Sequence, residues 1–332
     1  WPRRLQPLTP PPAVFFNDTA TTEIYTLSLH DALPIYTLEQ ENIFIMSEKR
    51  ARSQDIRPLR ILILNLMPKK IDTERQLLRM LSNSPLQVDV ELLQTATHAS
   101  KNTPSDHLLK FYQVFQNIRE QYFDGMIITG APVEQMEFEQ VSYWQELCTI
   151  MEWSKTHVHS TLHICWGAQA ALHYHYGLQK TQLPQKLFGV FQHTLVDKSV
   201  PLLRGFDEVY WMPHSRHTEI SAEQIRSTGK LYILSASPEA GVNIVSNHNG
   251  RQIFIFGHSE YEAGTLAEEY FRDLDKGLPI QLPCNYFPQD DPAQKPIRIW
   301  RSHAYLFYSN WLNYYVYQST PYNLCSMRLD PK

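Results

Sequence analysis

Three uninterrupted apolar runs, each handing over to a segment of helical period, constrain this chain more than any other feature. They are Arg60-Ile-Leu-Ile-Leu-Asn-Leu66, Gly125-Met-Ile-Ile-Thr-Gly130 and Ser160-Thr-Leu-His-Ile-Cys165. A strand that does not alternate polar with apolar is buried on both faces, as a parallel strand roofed by helices is. A helix is predicted to open at Asp72 or Thr73, with Leu77, Leu78, Met80 and Leu81 on one face, and another to run from about Glu139 to Thr156. Val88, Val90 and Leu92 alternate as a further strand. Thr103-Pro-Ser-Asp106 offers an N-cap, a first-turn proline and an acidic partner for a helix reaching Phe115. Repeated units of this kind require right-handed crossovers. The predicted fold is α/β, a mostly parallel sheet with helices on both faces, flavodoxin-like.

Beyond Gly177 the alternation loosens. Leu231–Leu234, Val242–Val245 and Ile253–Phe256 read as strands, the last two joined by a hairpin at Asn247-His-Asn-Gly250, and Ala263–Lys276 as a helix. The aromatic-rich C-terminal segment Trp300–Tyr322 is expected to cover the core or a subunit interface.

Ligands of such sheets collect outside the carboxyl ends of the strands. Asn65–Lys70, Gly130–Glu134, Cys165 and His258 all fall at that edge. Cys165 stands where its strand meets the helical stretch beginning at Trp166. A thiol at that elbow faces the first free N–H groups of a helix, which lower a thiol's pKa and can hold an oxyanion. A lone cysteine is ordinarily a small buried hydrophobe. Here a second strand end supplies His258-Ser-Glu260. Cys, His and Glu, each at a strand terminus, have the order of a nucleophile, its base and the group that orients the base.

Other candidates carry less. His173 and His175, two residues apart on a helix, point about 200° apart and cannot share a metal. His157, His159 and His163 have no thiol or carboxylate at ligand spacing, and no phosphate-binding glycine loop is present. Pro213-His-Ser-Arg-His217 reads as a polar loop, either a turn or a ligand contact. The formal net charge of −4 gives no field for nucleic acid or an anionic membrane. The four cysteines form no CxxC pair and read as reduced thiols of a cytoplasmic protein, and no apolar run reaches membrane-spanning length. Residues 1–36 lack any sustained period, resemble a translated sequencing adapter, and are read as a non-native or disordered, dispensable leader.

Several longer motifs point to a family: Leu64-Asn-Leu-Met-Pro-Lys-Lys70, Ser82-Asn-Ser-Pro-Leu-Gln87, Thr129-Gly-Ala-Pro132, Cys165-Trp166, Pro213-His-Ser-Arg216, Gly257-His258 and Asn310-Trp-Leu-Asn-Tyr-Tyr315. Together they resemble the homoserine O-acyltransferases of methionine biosynthesis, from about Leu38 to Leu324. The resemblance implies a class I glutamine amidotransferase-like fold and one catalytic acyltransferase domain over 37–325, with a tail at 326–332. It implies a cysteine acyl-thioester on Cys165, with His258 as proton acceptor and Glu260 as its orienter. Lys186, Ser215 and Arg272 would bind homoserine, Glu134 would bear on the choice of acyl-CoA, and the backbone N–H of Trp166 is the first choice for the oxyanion. Acetyl-CoA is the expected co-substrate, with succinyl-CoA or a glutamine amidotransferase-like thiol hydrolase as alternatives. No cofactor or metal is expected, and a homodimer is. The sequence departs from the family pattern at Ser259, where a proline would stand between the two catalytic residues.

Overall fold

In the computed structural model of the protein, residues 14–16, 40, 57–97 and 103–324 are described. Their strands are β1 (Val14–Phe16), β2 (Leu59–Leu64), β3 (Val88–Gln94), β4 (Tyr112–Val114), β5 (Phe123–Ile128), β6 (Val158–Ile164), β7 (Thr181–Leu195), β8 (Val209–Glu219), β9 (Leu231–Ser237), β10 (Gly241–Asn247) and β11 (Gln252–Ile255). The helices are α1 (Lys70–Leu81), α2 (Ser105–Phe111), α3 (Phe115–Ile118), α4 (Trp144–His157), α5 (Trp166–Tyr176), α6 (Ala222–Ser227), α7 (Thr265–Asp275) and α8 (Arg301–Asn310), the last running into a π-helical turn, Trp311–Tyr317.

One sheet joins the strands in the order β1-β3-β2-β5-β6-β11-β10-β9-β7-β8, with β4 beside β3. From β3 to β11 the neighbours are parallel, and from β11 to β8 they are antiparallel. The three apolar runs are the central parallel strands β2, β5 and β6. Leu59, Ile61 and Ile63 of β2 face Leu77, Leu78 and Leu81 of α1 and the aromatic segment. Leu62 and Leu64 face Leu147, Ile150 and Met151 of α4 and Ala168, Ala171 and Leu172 of α5. Helices therefore lie on both faces, as the absence of alternation requires. The aromatic segment closes the first face: Trp300, Phe307, Tyr308 and Trp311 are buried, and the Trp311 Nε1–H donates to Ser160 Oγ at 3.0 Å.

Three expectations need correction or limit. The helix over 103–115 breaks at Tyr112, which turns extended as β4. Its hydroxyl is anchored by Glu74 at 2.6 Å and by Asn65 at 2.8 Å, and that tertiary pull overrides local propensity. Pro213–His217 is no loop; it lies inside β8, paired antiparallel with β7 from Leu187↔Arg216 to Thr194↔Val209. Of the leader, Val14–Phe16 lies parallel beside Val88–Val90, and the rest of that reading, like the tail and Cys325, falls outside the described residues. Among the described residues no helix is long and apolar enough to cross a membrane.

Candidate active site

Cys165 is the one residue between β6 and α5, and it is held at φ 51°, ψ −115°. A positive φ is costly for any residue with a Cβ, on the order of 1–3 kcal/mol, and persists only where the surroundings over-determine it. They do so here. The Cys165 N–H donates to Ile255 O at 2.7 Å, while its carbonyl accepts from Ala168 and Gln169 at 3.0 and 3.1 Å. Two glycines let the backbone close in. A Cβ on Gly167 would stand 2.5 Å from the Thr129 carbonyl, so only glycine lets the first turn of α5 press against the end of β5. A Cβ on Gly130 would stand 3.4 Å from Cys165 Cβ and 3.8 Å from His258 Cε1, which puts that bare loop against both residues. Trp166 and Gly167, as the first residues of α5, have no carbonyl a turn behind them for their N–H groups.

His258 follows β11 and is placed by its own N–H donating to Pro213 O at 2.8 Å. Its Nδ1 is hydrogen-bonded to Glu260 Oε1 at 2.7 Å and its ring stacks on Tyr261 at 4.1 Å. The carboxylate fixes the Nδ1–H tautomer and leaves Nε2 for Cys165, with which the ring is hydrogen-bonded. Burial disfavours a charged ring, yet the Cys165 and Glu260 charges and hydrogen bonds together hold His258 well above the usual histidine value. Burial pushes the Cys165 thiol up, and the Glu134 carboxylate adds to this, while His258 and Arg216 pull it down. The proton between sulfur and ring is thus held tightly by the pair.

Glu134 reaches the same spot. Its Oε1 is 3.8 Å from Cys165 Sγ, and its Oε2 accepts from the His217 N–H at 2.5 Å. Burial raises its pKa, against the pull of that hydrogen bond and of the His258 and Arg216 charges.

Lys186, Ser215 and Arg272 also come together, around a residue the sequence did not single out. Glu269 Oε1 is 2.5 Å from Lys186 Nζ and accepts from Ser215 Oγ at 2.8 Å; Arg272 Nη2 lies 3.8 Å away, one helical turn on. Arg272 leans on Asp273 at 2.7 Å and is half exposed. Lys186 is delivered by a bulge, because β7 shifts register against β8 between Gln182 and Leu187. The signal for Glu269 was its i,i+3 spacing to Arg272 on an amphipathic helix.

Other contributors were also missed. Arg216 is buried, with Nη1 and Nη2 donating to Thr218 O and Ala240 O at 2.7 and 2.6 Å, and its charge bears on Cys165 and Glu134. A buried chain runs from Ser235 through Tyr210 to Asn243, whose Oδ1 accepts from the Gly257 N–H at 3.0 Å and so fixes the strand end before His258. At the end of β2, Lys70 donates to Asn65 O; burial brings its pKa down to about 8 against the pull of Glu74.

The sequence and the fold have counterparts among known proteins. The family profile described as "Homoserine O-succinyltransferase" matches residues 26–322. A protein named homoserine O-acetyltransferase from Geobacillus sp. (strain WCH70) is 64% identical over 285 residues, covering 86% of this chain and 94% of its own. Another of that name, from Acetivibrio thermocellus, is 57% identical over 303 residues, covering 91% and 99%. Among solved structures, a glutamine amidotransferase from Thermotoga maritima superposes with a TM-score of 0.50 at 14% identity, over 77% of this chain and 98% of its own. That last likeness is one of fold alone, the class I glutamine amidotransferase-like α/β fold.

Proposed function

The chain belongs to the homoserine O-acyltransferase family, and from that premise we propose that it moves the acetyl group of acetyl-CoA to the hydroxyl of L-homoserine through a thioester on Cys165, giving O-acetyl-L-homoserine for methionine biosynthesis. The observation that carries the reading is the line Cys165–His258–Glu260 at the strained elbow, with a cationic and hydroxyl-bearing cluster around Glu269 beside it.

Each group has a task. His258 takes the thiol proton and Cys165 Sγ attacks the thioester carbonyl, with the N–H groups at the start of α5, Trp166 first, receiving the oxyanion. The carbon–sulfur bond to CoA breaks, and His258 returns the proton to the leaving thiolate. Homoserine's hydroxyl then gives its proton to His258 as its oxygen attacks the acyl-cysteine, and Cys165 leaves as a thiolate to regain the proton. Glu260 keeps the ring turned and stabilises its charge. Exchange of one thioester for another is nearly balanced, and formation of the ester is downhill.

Recognition of homoserine follows from charge. The Arg272 fork suits the α-carboxylate. Glu269 suits the α-ammonium, a cation entering where Lys186 now lies. For the donor, the Glu134 carboxylate 3.8 Å from the nucleophile supports acetyl over succinyl: a second carboxylate arriving there meets like charge in a partly dry site.

Incubating the protein with acetyl-CoA and mapping acyl adducts by mass spectrometry tests the reading. An acetyl group on Cys165, discharged by homoserine, is the expected result, together with parallel double-reciprocal lines. Intersecting lines with no adduct would sink it.

A further inference from the structure

Glu134 is held at both ends, and the second hold comes from a lysine. Its carboxylate accepts from the His217 N–H at 2.5 Å. Its main-chain carbonyl accepts from Lys180 Nζ at 2.6 Å, and the Met136 carbonyl accepts from the same ammonium. Lys180 Nζ also stands 4.6 Å from the centre of the Phe138 ring. An ammonium has three donors and no acceptor, so two carbonyls and an aromatic face match what it offers. The segment that carries Glu134 needs such a hold. Residues 129–137 are neither helix nor strand. Pro132 has no N–H to give, and one turn closes farther along, the Met136 N–H donating to Val133 O at 3.1 Å. Lys180, by contrast, starts from a fixed base. α5 ends at Gly177, in the left-handed region at φ 71°, whose N–H donates to His173 O at 2.9 Å. The Gln224 side chain then bonds both main-chain groups of Gln179, accepting from its N–H at 2.9 Å and donating to its carbonyl at 3.2 Å. Thr181 pairs with Glu219 as β7 begins.

We propose that Lys180 is a positioning residue for the choice of acyl donor. By gripping the carbonyls of Glu134 and Met136 it keeps the Glu134 carboxylate 3.8 Å from Cys165 Sγ. With His217 alone, the loop could swing about a single bond; a second attachment fixes the residue at both its main chain and its carboxylate. The consequence for donor choice rests on the role proposed above for Glu134. The consequence for the charge felt at Cys165 does not.

The test uses the full chain. Cys165 is alkylated with neutral iodoacetamide and with anionic iodoacetate, and the modified peptide is followed by mass spectrometry for the wild type, Lys180→Met, Lys180→Arg and Glu134→Gln. Both reagents need the same thiolate, so changes in thiol acidity cancel in the ratio of their rates. The rate with iodoacetate over that with iodoacetamide therefore reports the charge beside the sulfur. It should rise about tenfold in Glu134→Gln, which removes one charge at contact distance. Lys180→Met should raise it about threefold or more, as the carboxylate swings away. Deleting a cation with nothing else moved would lower the ratio, so the sign separates positioning from bulk charge. Lys180→Arg keeps a charged donor and should stay within about twofold of the wild type. Lys180→Gln, whose amide is too short for the carbonyls, serves should Lys180→Met fold poorly. A ratio unchanged or lowered on losing the ammonium would overturn the proposal. With the ratio raised, turnover separates the two readings. A kcat/KM for succinyl-CoA over acetyl-CoA that rises in Lys180→Met supports the whole, and one that moves in Glu134→Gly alone overturns Lys180 as a determinant of donor choice. One that moves in neither keeps the placement and sinks the donor role of Glu134.

Discussion

The parallel half of the sheet and the antiparallel half build the site by different means. On the parallel side, β2, β5 and β6 position Cys165 through backbone: a positive φ, a glycine at 167 without room for a Cβ, and the first turn of a helix. On the antiparallel side, β7 and β8 work through side chains. Ser215 donates to Glu269, the buried Arg216 bears on Cys165 by its charge, and Lys186 arrives on a bulge, with the one backbone contribution the His217 N–H that Glu134 accepts. Chemistry common to many substrates needs a rigid nucleophile, which backbone supplies. Recognition of one substrate needs charges of particular sign in particular places, which only side chains supply.

The largest expected effect falls on the parallel side. Cys165→Ser should lose about three orders of magnitude or more in kcat with the melting temperature held, because a hydroxyl is rarely ionised where a thiol is. Near-normal turnover in that variant would erase the distinction between the halves. Glu269→Gln tests the antiparallel side. It should raise the KM for homoserine roughly 30-fold or more, with a smaller change in kcat, since it removes the carboxylate proposed to receive the α-ammonium where Lys186 now lies. Equal losses in kcat would make Glu269 part of the chemistry instead.

Glu134 sits where the halves meet, and a smaller effect is expected there. Glu134→Gly should shift the ratio of kcat/KM for succinyl-CoA over acetyl-CoA upward by about one to two orders of magnitude, by removing a charge of about 1–4 kcal/mol in Coulomb cost. An unchanged ratio would leave the carboxylate with only its hydrogen bond to His217.

The smallest effect is on stability. Burial takes His163 of β6 down to about 3 and His193 of β7 down to about 4. Their folded values lie below the unfolded 6.5, so the native state binds fewer protons and their contribution is present above pH 6.5. It drains away as pH falls from there toward 4 and 3, at about 1.4 kcal/mol per pH unit for each histidine. His193 is paired Nε2 to Nε2 with buried His214 at 3.2 Å, where a second proton has no place to go. Melting curves between pH 7 and 4.5 should therefore flatten more for His193→Phe than for His163→Phe. The reverse order would place the acid-labile element in the parallel half.

How much of this could be read beforehand follows the same division. The elbow at Cys165 and the pair His258 and Glu260 were legible because a strand end, a helix start and a two-residue spacing are local patterns. Lys186, Ser215, Arg272 and Glu134 came from resemblance to a family, and the structure gathers them without that resemblance being needed. Glu269 and Arg216 were not legible: one is a charge on a helix and the other a charge in a presumed loop until distant segments meet them.

The sequence by itself determined the sheet's parallel core, the helices on both its faces and the strand ends at which chemistry collects. Continuous apolar runs leave no other way to bury both faces of a strand. Only the tertiary structure decided that Pro213–His217 is a strand, that Tyr112 breaks a helix, and that Glu269 stands among Lys186, Ser215 and Arg272. In each case the deciding bond joins residues dozens of positions apart: Tyr112 to Glu74, Ser215 to Glu269, His217 to Glu134. Local propensity carries no trace of such partners, because their energy exists only once the chain has closed the loop between them.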